Sequence, residues 1–413
     1  MSDHNSDTAD VAVIGAGILG LSTAMALATK HEGLRVVSLE QESGVGRHQS
    51  GNNSGVIHSG LYYRPGSAKA RMAVAGAERM YAFCDEHGIG AERCGKVVVA
   101  THESELERMR ELHRRGDANG VPDIRELGPE ELHEFEPNAA GVAALHIPST
   151  GIADYRGVCE KYRELLESAG GSVRLRSRVS GVRVESDGVQ LATTTGVVHA
   201  KYAVNCAGLQ ADRIARRAGA PEARNLRIVP FRGEYYDLVP AARGMLKNLI
   251  YPVPDPAFPF LGVHFTRRLD GSVEAGPNAV LALKREGYRW RDVALRDAAE
   301  SLTWPGFLRL ARDHWQTGLG EVWRSANKSA FVSALQRLMP NLEPDQLVRG
   351  GAGVRAQALR RDGSLADDFE IARQDRLIHI LNAPSPGATA SLLIGEEIAS
   401  TAESAWLGGN LSL

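Results

Sequence analysis

The sequence predicts a mixed α/β fold, in which a domain with a parallel sheet is joined to a second domain with an antiparallel sheet. An apolar strand, a glycine-rich turn and a helix follow one another near the N-terminus, an order typical of α/β domains. Further along the chain, segments with the spacing of a helix alternate with segments with the spacing of a strand. From Val229 to Gly276 the chain is rich in aromatic residues and proline, which favours an antiparallel sheet.

Composition limits the class of protein. The chain has 413 residues, with 48 basic and 50 acidic side chains and a net charge of -2, so we expect no nucleic-acid partner. We find no secretory signal and no run of about 20 apolar residues that could cross a membrane. The four cysteines are far apart in sequence, which favours reduced thiols over disulfides or a metal site. These features predict a cytoplasmic enzyme.

The first element is a short buried strand, residues 10–15, that leads into a GxGxxG turn. Gly15 allows the tight turn, Gly17 allows the backbone to approach a pyrophosphate, and Gly20 allows the helix to press onto the sheet. Ile18 lies at the start of that helix, where backbone amides attract negative charge. The order of strand, glycines and helix predicts a Rossmann-like dinucleotide-binding domain.

The second strand ends at Glu40, 20 residues after Gly20. A carboxylate at this position accepts hydrogen bonds from ribose hydroxyls and repels the 2'-phosphate of NADP. This unit alone does not decide between NAD and FAD.

A polar loop follows, "RHQSGNNSGVIHSGLYYRPGSAKA" at 47–70. Its spacing is neither that of a helix nor that of a strand, and long loops in folded domains are often functional. Its glycines allow the backbone to approach a flat ring, and its small polar side chains suit ribityl and phosphate oxygens. From this loop we predict His48, Ser50, Asn52, Asn53, Ser54, Gly55 and Val56 as cofactor-binding residues.

The loop also carries a resemblance to a known family. "HQSGNNSGVIHSGLYYRPGSAKA" closely resembles the signature of the L-2-hydroxyglutarate dehydrogenase/oxidase family, within the D-amino-acid oxidase superfamily. The likeness continues over most of the chain, in "CGKVVVA" (94–100), "NCAGLQADRIA" (205–215), "VPFRGEYYDL" (229–238), the stretch 250–288, "GVRAQALRRDG" (353–363) and "NAPSPGATASLLIGEEIA" (382–399).

This resemblance implies a Rossmann-like FAD-binding domain with a second, antiparallel-sheet substrate domain, and a flavin between them. It implies FAD as cofactor and oxidation of L-2-hydroxyglutarate to 2-oxoglutarate, by hydride transfer from Cα to flavin N5. Two alternatives remain open: a superfamily enzyme that acts on an amino acid or glycerol phosphate, and a catalytically silent FAD-binding protein.

The element pattern predicts that the two domains are discontinuous. We expect the FAD-binding domain over 1–93, 151–220 and 346–413, and the substrate domain over 94–150 and 221–345. The strand ending at Ala207 and Gly208 meets the adenosine half of the cofactor in this scheme. A loop before the last helix faces the flavin's negative end with backbone amides, and in it we predict contacts from Ser385, Gly387, Ala388 and Thr389.

The expected reaction needs a base for the hydroxyl proton and a cation for the carboxylate. His58, in the middle of the polar loop, is the favoured base, because an imidazole with a pKa near 6.5 suits proton transfer at neutral pH. His264 is the rival. Arg355 occupies the position where the superfamily places its carboxylate-binding arginine, although Ala356 stands where proline is usual.

A dicarboxylate substrate needs a second group for its distal carboxylate. Arg232, Tyr235 and Thr266 on the predicted sheet are candidates, as is the run Tyr62, Tyr63 and Arg64 after the polar loop. Each could instead serve packing or a turn.

The stretch "SLTWPGFLRLARDHW" at 301–315 bears on the electron acceptor. It alternates bulky apolar residues with arginines and would allow a peripheral membrane contact, near a quinone. A buried helix of the substrate domain is the preferred interpretation. The sequence therefore leaves open whether oxygen or a quinone accepts the electrons, and it does not indicate an oligomeric state.

Overall fold

The computed structural model describes residues 8–255 and 262–407, so a few residues of the family-like stretch 250–288 lie outside the described chain. The strands are β1 Thr8–Ile14, β2 Val36–Leu39, β3 Val56–Ile57, β4 Ala91–Glu92, β5 Lys96–Ala100, β6 Arg125–Leu127, β7 Ala143–Ile147, β8 Gly151–Ala153, β9 Ser172–Arg174, β10 Val179–Val184, β11 Val189–Thr193, β12 Gly196–Asn205, β13 Leu226–Leu238, β14 Leu249–Pro252, β15 His264–Arg267, β16 Val273–Gly276, β17 Val280–Leu281, β18 Leu347–Arg360, β19 Glu370–Gln374 and β20 Leu377–Asn382. The α-helices are α1 Ile18–Lys30, α2 Ala68–Glu86, α3 Leu106–Ala118, α4 Pro129–Phe135, α5 Tyr155–Ser168, α6 Ala211–Arg217, α7 Leu295–Leu302, α8 Pro305–Asp313, α9 Trp315–Ala326, α10 Lys328–Gln336 and α11 Ser391–Ala402.

These elements form two units. The first comprises the described parts of Met1–Gly51, Tyr155–Val229 and Ala356–Leu413. The second comprises Asn52–Asp154 and Pro230–Arg355, apart from the undescribed residues 256–261.

The unit boundaries differ from the predicted domain boundaries, most of all at the first one. The sequence analysis expects the nucleotide domain to continue to residue 93, whereas the first unit ends at Gly51. The reason is strand pairing and core packing: β3 pairs with β8, and Val56 and Leu61 share a core cluster with Val98 of β5. Residues 221–229 belong to the first unit and residues 346–355 to the second, again unlike the prediction.

The first unit is built on a mainly parallel sheet. Its parallel strands lie in the order β9-β2-β1-β12-β20, and β10, β11 and β19 add antiparallel edges. The chain leaves β1 through α1 to reach β2, while β12 lies on the other side of β1. Strand order therefore reverses at β1, and the crevice at the carboxyl ends of β1 and β12 is where such sheets bind nucleotides.

Helix α1 packs against α5 and α11, over the sheet of the first unit. The contact with α11 is close, because a Cβ added at Gly395 would lie 2.1 Å from the Ser22 hydroxyl. Ser22 Oγ also donates a hydrogen bond to the Ser391 carbonyl at 2.7 Å. The start of α11 is therefore held next to the first turn-and-a-half of α1.

The second unit is built on a larger, mostly antiparallel sheet, as the sequence predicts. Its strand order is β17-β13-β16-β15-β14-β5-β7-β6, with β18 paired to β13. Because side chains alternate between faces along a strand, Phe265, Ile250 and Val97 enter the apolar core on one face. The other face carries Val98 and Tyr251 in a second apolar cluster, together with most of the polar residues discussed below.

The expectation of a buried helix over 301–315 is wrong. Trp304 and Gly306 face the core, but Leu308 of α8 is 55% exposed and Trp315, at the start of α9, is 58% exposed. Only a short part of this stretch meets the core, so its remaining apolar side chains face solvent. Within the described residues, no helix has the length and apolar character needed to span a membrane.

Candidate active site

In the first unit, the predicted glycine turn forms between β1 and α1. Gly15 has a φ of +105°, and a Cβ there would lie 2.6 Å from the Cys206 carbonyl oxygen. A Cβ at Gly20 would lie 1.9 Å from the Gly15 carbonyl oxygen. Larger residues are therefore excluded at both positions, as the dinucleotide-binding turn requires.

Gly17 is different, because the space above it is open. A Cβ at Gly17 would meet one side-chain atom within 4 Å, the hydroxyl oxygen of Ser50 at 3.2 Å. That hydroxyl accepts a hydrogen bond from the Ile18 amide at 2.9 Å. Gly17, Ile18 and Ser50 thus line a cradle at the positive end of α1, which a side chain at Gly17 would fill and which suits a pyrophosphate.

Glu40 lies at the end of β2 and is buried. Its carboxylate accepts hydrogen bonds from the amides of Ala16, at 2.8 Å, and Glu42, at 3.0 Å. These bonds place the acid against the glycine turn, where a ribose would lie.

His48 has different partners, since its Nε2 lies 3.1 Å from both Glu42 Oε1 and Gln41 Nε2. His48 therefore helps to hold the loop.

Two further predicted segments lie in the first unit. Ala207 and Gly208 follow β12, and Gly208 has a φ of +49° with the Gln49 side chain beside it. In the loop before α11, Thr389 Oγ1 lies 3.2 Å from the buried Tyr155 hydroxyl. The Gly387 amide donates to the Pro384 carbonyl at 2.9 Å, so it closes the turn that contains Ser385 and Ala388.

The remaining loop residues, Asn52, Asn53, Ser54, Gly55 and Val56, belong to the second unit. Asn53 Oδ1 accepts from the Gly55 amide at 2.8 Å, and the Asn53 carbonyl accepts from Arg268 at 3.1 Å. A Cβ at Gly353 would lie 2.7 Å from the Asn52 carbonyl oxygen. The loop is thus fixed against β18, two residues from Arg355.

A cluster of polar side chains occupies one face of the sheet in the second unit. The strands contribute Lys96, Tyr235, Tyr251, His264 and Thr266, and His58, Tyr62 and Arg355 join them. The Tyr251 ring packs against His264, with ring centroids 4.0 Å apart and ring planes tilted by 30°, and its hydroxyl is hydrogen-bonded to Thr266. Tertiary structure therefore brings both candidate histidines together with Arg355.

Both histidines are held in the neutral form. Burial lowers the pKa of His58 to about 3, with further lowering by the charges of Lys96, His264 and Arg355. Burial also lowers the pKa of His264 to about 3, although its bond to Gly262 opposes the shift. The expectation of a His58 pKa near 6.5 is therefore wrong, because a charged imidazole is unfavourable beside cations in a buried site.

The two imidazoles differ in accessibility and in partners. His264 is 4% exposed, and its Nδ1 lies 2.8 Å from the Gly262 carbonyl. Because a carbonyl only accepts, Nδ1 carries the proton and Nε2 keeps the lone pair. His58 is only half-buried. It is the imidazole that a ligand can reach more readily.

Arg355 meets the cluster from β18. Its guanidinium is hydrogen-bonded to the Tyr235 hydroxyl, and the Tyr235 pKa is raised by burial despite this cation. Nearby, Glu274 and Arg268 form an ion pair at 2.5 Å. Arg355 also lines a cavity of about 280 Å³ in the second unit, with Asn278 and Arg324 among the other lining residues. An arginine fork in this setting suits a carboxylate.

Among the predicted second carboxylate ligands, Arg232 is placed elsewhere. Its guanidinium is buried, donates to Glu234 and to the Arg289 carbonyl, and lies 4.7 Å from the Trp290 ring centre. These interactions account for a packing role of Arg232. Tyr235, Tyr62 and Thr266 do lie in the cluster.

Two members of the cluster were missed by the sequence analysis, Lys96 and Tyr251. Lys96 is 1% exposed. Its Nζ lies 4.5 Å from the Tyr62 ring centre and 5.3 Å from that of Tyr251. The available signal was the lysine at the head of "KVVVA", because a run of valines is typical of a buried strand, where an uncompensated charge is unusual.

Comparisons with known proteins show the family of the chain. The family described as FAD dependent oxidoreductase matches residues 10–401. L-2-hydroxyglutarate dehydrogenase from Indibacter alkaliphilus is 49% identical over 385 residues, which cover 93% of this chain and 96% of that protein. The mitochondrial L-2-hydroxyglutarate dehydrogenase of Homo sapiens is 42% identical over 407 residues, covering 94% and 88%.

Solved structures show the same fold at lower identity. An FAD-bound L-α-glycerophosphate oxidase from Mycoplasma pneumoniae is similar with a TM-score of 0.76 and 23% identity, over 95% of this chain and 94% of that one. Glycine oxidase from Geobacillus kaustophilus has a TM-score of 0.71 at 20% identity, with 98% of each chain covered. The fold is thus shared by oxidases named for different substrates, and residues of the site must decide the chemistry.

Proposed function

Since this chain belongs to the FAD-dependent oxidoreductase family, and within it to the L-2-hydroxyglutarate dehydrogenases, we propose that it binds FAD and oxidises L-2-hydroxyglutarate to 2-oxoglutarate. The single observation that carries this proposal is the polar cluster of the second unit, where two neutral imidazoles lie with an arginine and a lysine. A base and two cations are what oxidation of a 2-hydroxy dicarboxylate requires.

The first unit supplies the proposed cofactor site. Gly15, Gly17 and Gly20 leave the backbone open beside the positive end of α1, and Glu40 lies at the end of β2. These residues fit the pyrophosphate and ribose of FAD. When bound, FAD supplies the acceptor for the hydride that leaves the substrate.

The second unit supplies the groups that act on the substrate. In this proposal, Arg355 and Tyr235 hold the carboxylate next to the hydroxyl-bearing carbon. His58 accepts the hydroxyl proton, because it is neutral and more exposed than His264. His264 is held in place by Gly262 and Tyr251 and has a supporting role in this proposal. The substrate dianion offsets the cations, which raises the proton affinity of the neighbouring imidazole during reaction.

An anaerobic reduction experiment tests this function. Mixing the purified holoprotein with L-2-hydroxyglutarate should bleach its visible flavin absorbance, and the D enantiomer should act far more slowly. Bleaching by an amino acid or by glycerol phosphate instead would favour another activity of the superfamily. A yellow protein that no 2-hydroxy acid reduces would indicate a silent flavin-binding protein.

We propose a quinone in a lipid surface as the electron acceptor, in preference to oxygen. Support comes from α9, where Trp315, Leu319, Val322 and Trp323 are 58%, 61%, 45% and 62% exposed. Their spacing of four, three and one places them on one helix face, which suits the interface of a bilayer. In this proposal the protein is cytoplasmic and contacts the inner face of a membrane.

Vesicle binding tests this surface. The holoprotein should sediment with vesicles that contain phosphatidylglycerol, and a Trp315→Ser, Trp323→Ser double variant should not. Leu269→Ser is the matched control, because Leu269 is 41% exposed but lies outside these helices. Equal sedimentation of both variants, or rapid peroxide formation in air without any quinone, would contradict the proposal.

A further inference from the structure

We propose that Lys96 is the residue that binds the distal carboxylate of the dicarboxylate substrate, as the second cation beside Arg355. This inference rests on the proposed function and assigns the part of the site that distinguishes a dicarboxylate from a monocarboxylate. Lys96 lies at the start of β5 on the same sheet face as Tyr251 and Thr266.

The surroundings of Lys96 suit a bound anion. Its ammonium is buried, and among the described residues it forms no ion pair with a carboxylate. Glu274, a carboxylate of the same sheet, is paired with Arg268. A buried ammonium is unfavourable unless an opposite charge accompanies it, so a ligand carboxylate would remove this penalty.

The neighbours of Lys96 also offer a hydrogen-bond donor. The Tyr62 hydroxyl is buried and has no hydrogen-bond partner in the described part of the chain. The Tyr62 and Tyr251 rings lie 4.5 Å and 5.3 Å from the lysine Nζ. An ammonium and a phenolic hydroxyl together can bind one carboxylate with charge-assisted hydrogen bonds.

Charge balance supports two cations for one substrate. The charges of Lys96 and Arg355 both lower the pKa of His58 and of His264, so both cations lie near the groups that would receive the proton. L-2-hydroxyglutarate carries two negative charges at neutral pH. Arg355 and Lys96 can neutralise both, whereas a monocarboxylate would leave one buried cation uncompensated.

This arrangement predicts proton uptake on binding. Burial lowers the pKa of Lys96 to about 7, and a bound carboxylate would raise it again. At pH 8, Lys96 would be neutral in about 0.9 of the ligand-free protein molecules. Each of these lysines would take up a proton when the dicarboxylate binds. The titratable groups around Lys96 are Tyr62 and Tyr251, whose rings it contacts, and His58 and His264, whose pKa values its charge lowers. The two histidines are neutral, both tyrosines have raised pKa values, and none of them releases a proton at this pH.

Calorimetry on the oxidised holoenzyme measures this uptake without turnover. Glutarate is the probe, because it has both carboxylates but no hydroxyl to oxidise, and butyrate is the monocarboxylate of similar shape. Titrations at pH 8 in two buffers of different ionisation enthalpy should give uptake of close to one proton for glutarate and much less for butyrate. Lys96→Met should remove the uptake and weaken glutarate binding at least 10-fold, toward the affinity of butyrate. Lys96→Arg should bind glutarate without uptake.

Controls separate this inference from loss of folding and from failure of the proposed function. Lys247→Met replaces an exposed lysine of the same unit and should leave glutarate binding unchanged, and retained flavin in Lys96→Met shows that the variant is folded. Glutarate binding by Lys96→Met with wild-type affinity and uptake would overturn the inference alone. The inference would also be overturned if Lys96→Met slowed oxidation of L-2-hydroxybutyrate, a monocarboxylate, as much as it slowed oxidation of L-2-hydroxyglutarate. Failure of L-2-hydroxyglutarate to reduce the wild-type flavin would instead overturn the proposed function.

Discussion

Replacing Lys96 by methionine should make the protein more stable at neutral pH while it impairs substrate binding. Methionine has nearly the length of the lysine stem and fits an apolar environment. The substitution removes a buried charge that the free protein carries without an opposite charge nearby. A residue kept at a cost in stability is characteristic of a functional site.

The size of the effect follows from the pKa shift. A pKa of about 7 in the folded protein, against an unfolded value of about 10.5, disfavours the charged form by about 5 kcal/mol. At pH 7 half of the folded lysines are neutral, which leaves about 4 kcal/mol as an upper bound. Attraction of the ammonium to the two tyrosine rings offsets part of this, so we expect a gain of about 2 kcal/mol.

The sign of the pH dependence distinguishes this cause from better packing. Because the folded pKa lies below the unfolded one, the wild-type protein loses stability as pH falls from about 10.5 to about 7, and the loss is complete below that. Lys96→Met does not share this loss. The stability difference between the two proteins should therefore be largest below pH 7 and shrink to within about 1 kcal/mol at pH 10.

Thermal denaturation of the holoproteins at pH 6.5 and pH 10 measures this difference. A gain of about 2 kcal/mol in a unit of this size corresponds to a Tm rise of about 5 °C at the lower pH. Lys247→Met, at an exposed lysine, should change the Tm little at either pH. A Lys96→Met variant that is less stable than wild type at pH 6.5, or equally shifted at both pH values, would refute the reasoning.

Three further predictions concern the proposed cofactor and catalytic groups. Gly20→Val should yield a protein with little bound flavin, because its Cβ would lie 1.9 Å from the Gly15 carbonyl oxygen; visible absorbance of the purified protein measures this, and full flavin occupancy would contradict it. Arg355→Lys should lower kcat/KM for L-2-hydroxyglutarate about 100-fold, because lysine keeps the charge but loses the planar fork; unchanged kinetics would exclude a bidentate contact. His58→Gln should slow anaerobic flavin reduction at least 100-fold and more than His264→Gln does. The reverse order would make His264 the base.

The nucleotide-binding part of the site could be predicted from sequence because its requirements are local. Gly15, Gly17 and Gly20 lie within six residues of one another, and Gly20 is required by its contact with the Gly15 carbonyl oxygen in the same turn. Glu40 follows at a spacing that one helix and one strand determine. Local geometry of this kind is visible in residue order.

The second carboxylate site could not be predicted in the same way. Arg232 and Lys96 are both cations on strands of this sheet, yet Arg232 pairs with Glu234, while Lys96 lies beside two tyrosine rings. Which cation faces the cluster depends on strand register and on the order of β13, β16, β15, β14 and β5 in the sheet. These contacts join residues far apart in the chain.

The class of fold, the dinucleotide turn and the family could be predicted from residue order, because these depend on local spacing and on long motifs. Tertiary structure alone decided the protonation of these groups and which of them meet. The pKa values of His58, His264 and Lys96 are set by burial and by one another's charge. Desolvation and charge interactions depend on distances in space, which residue order does not contain.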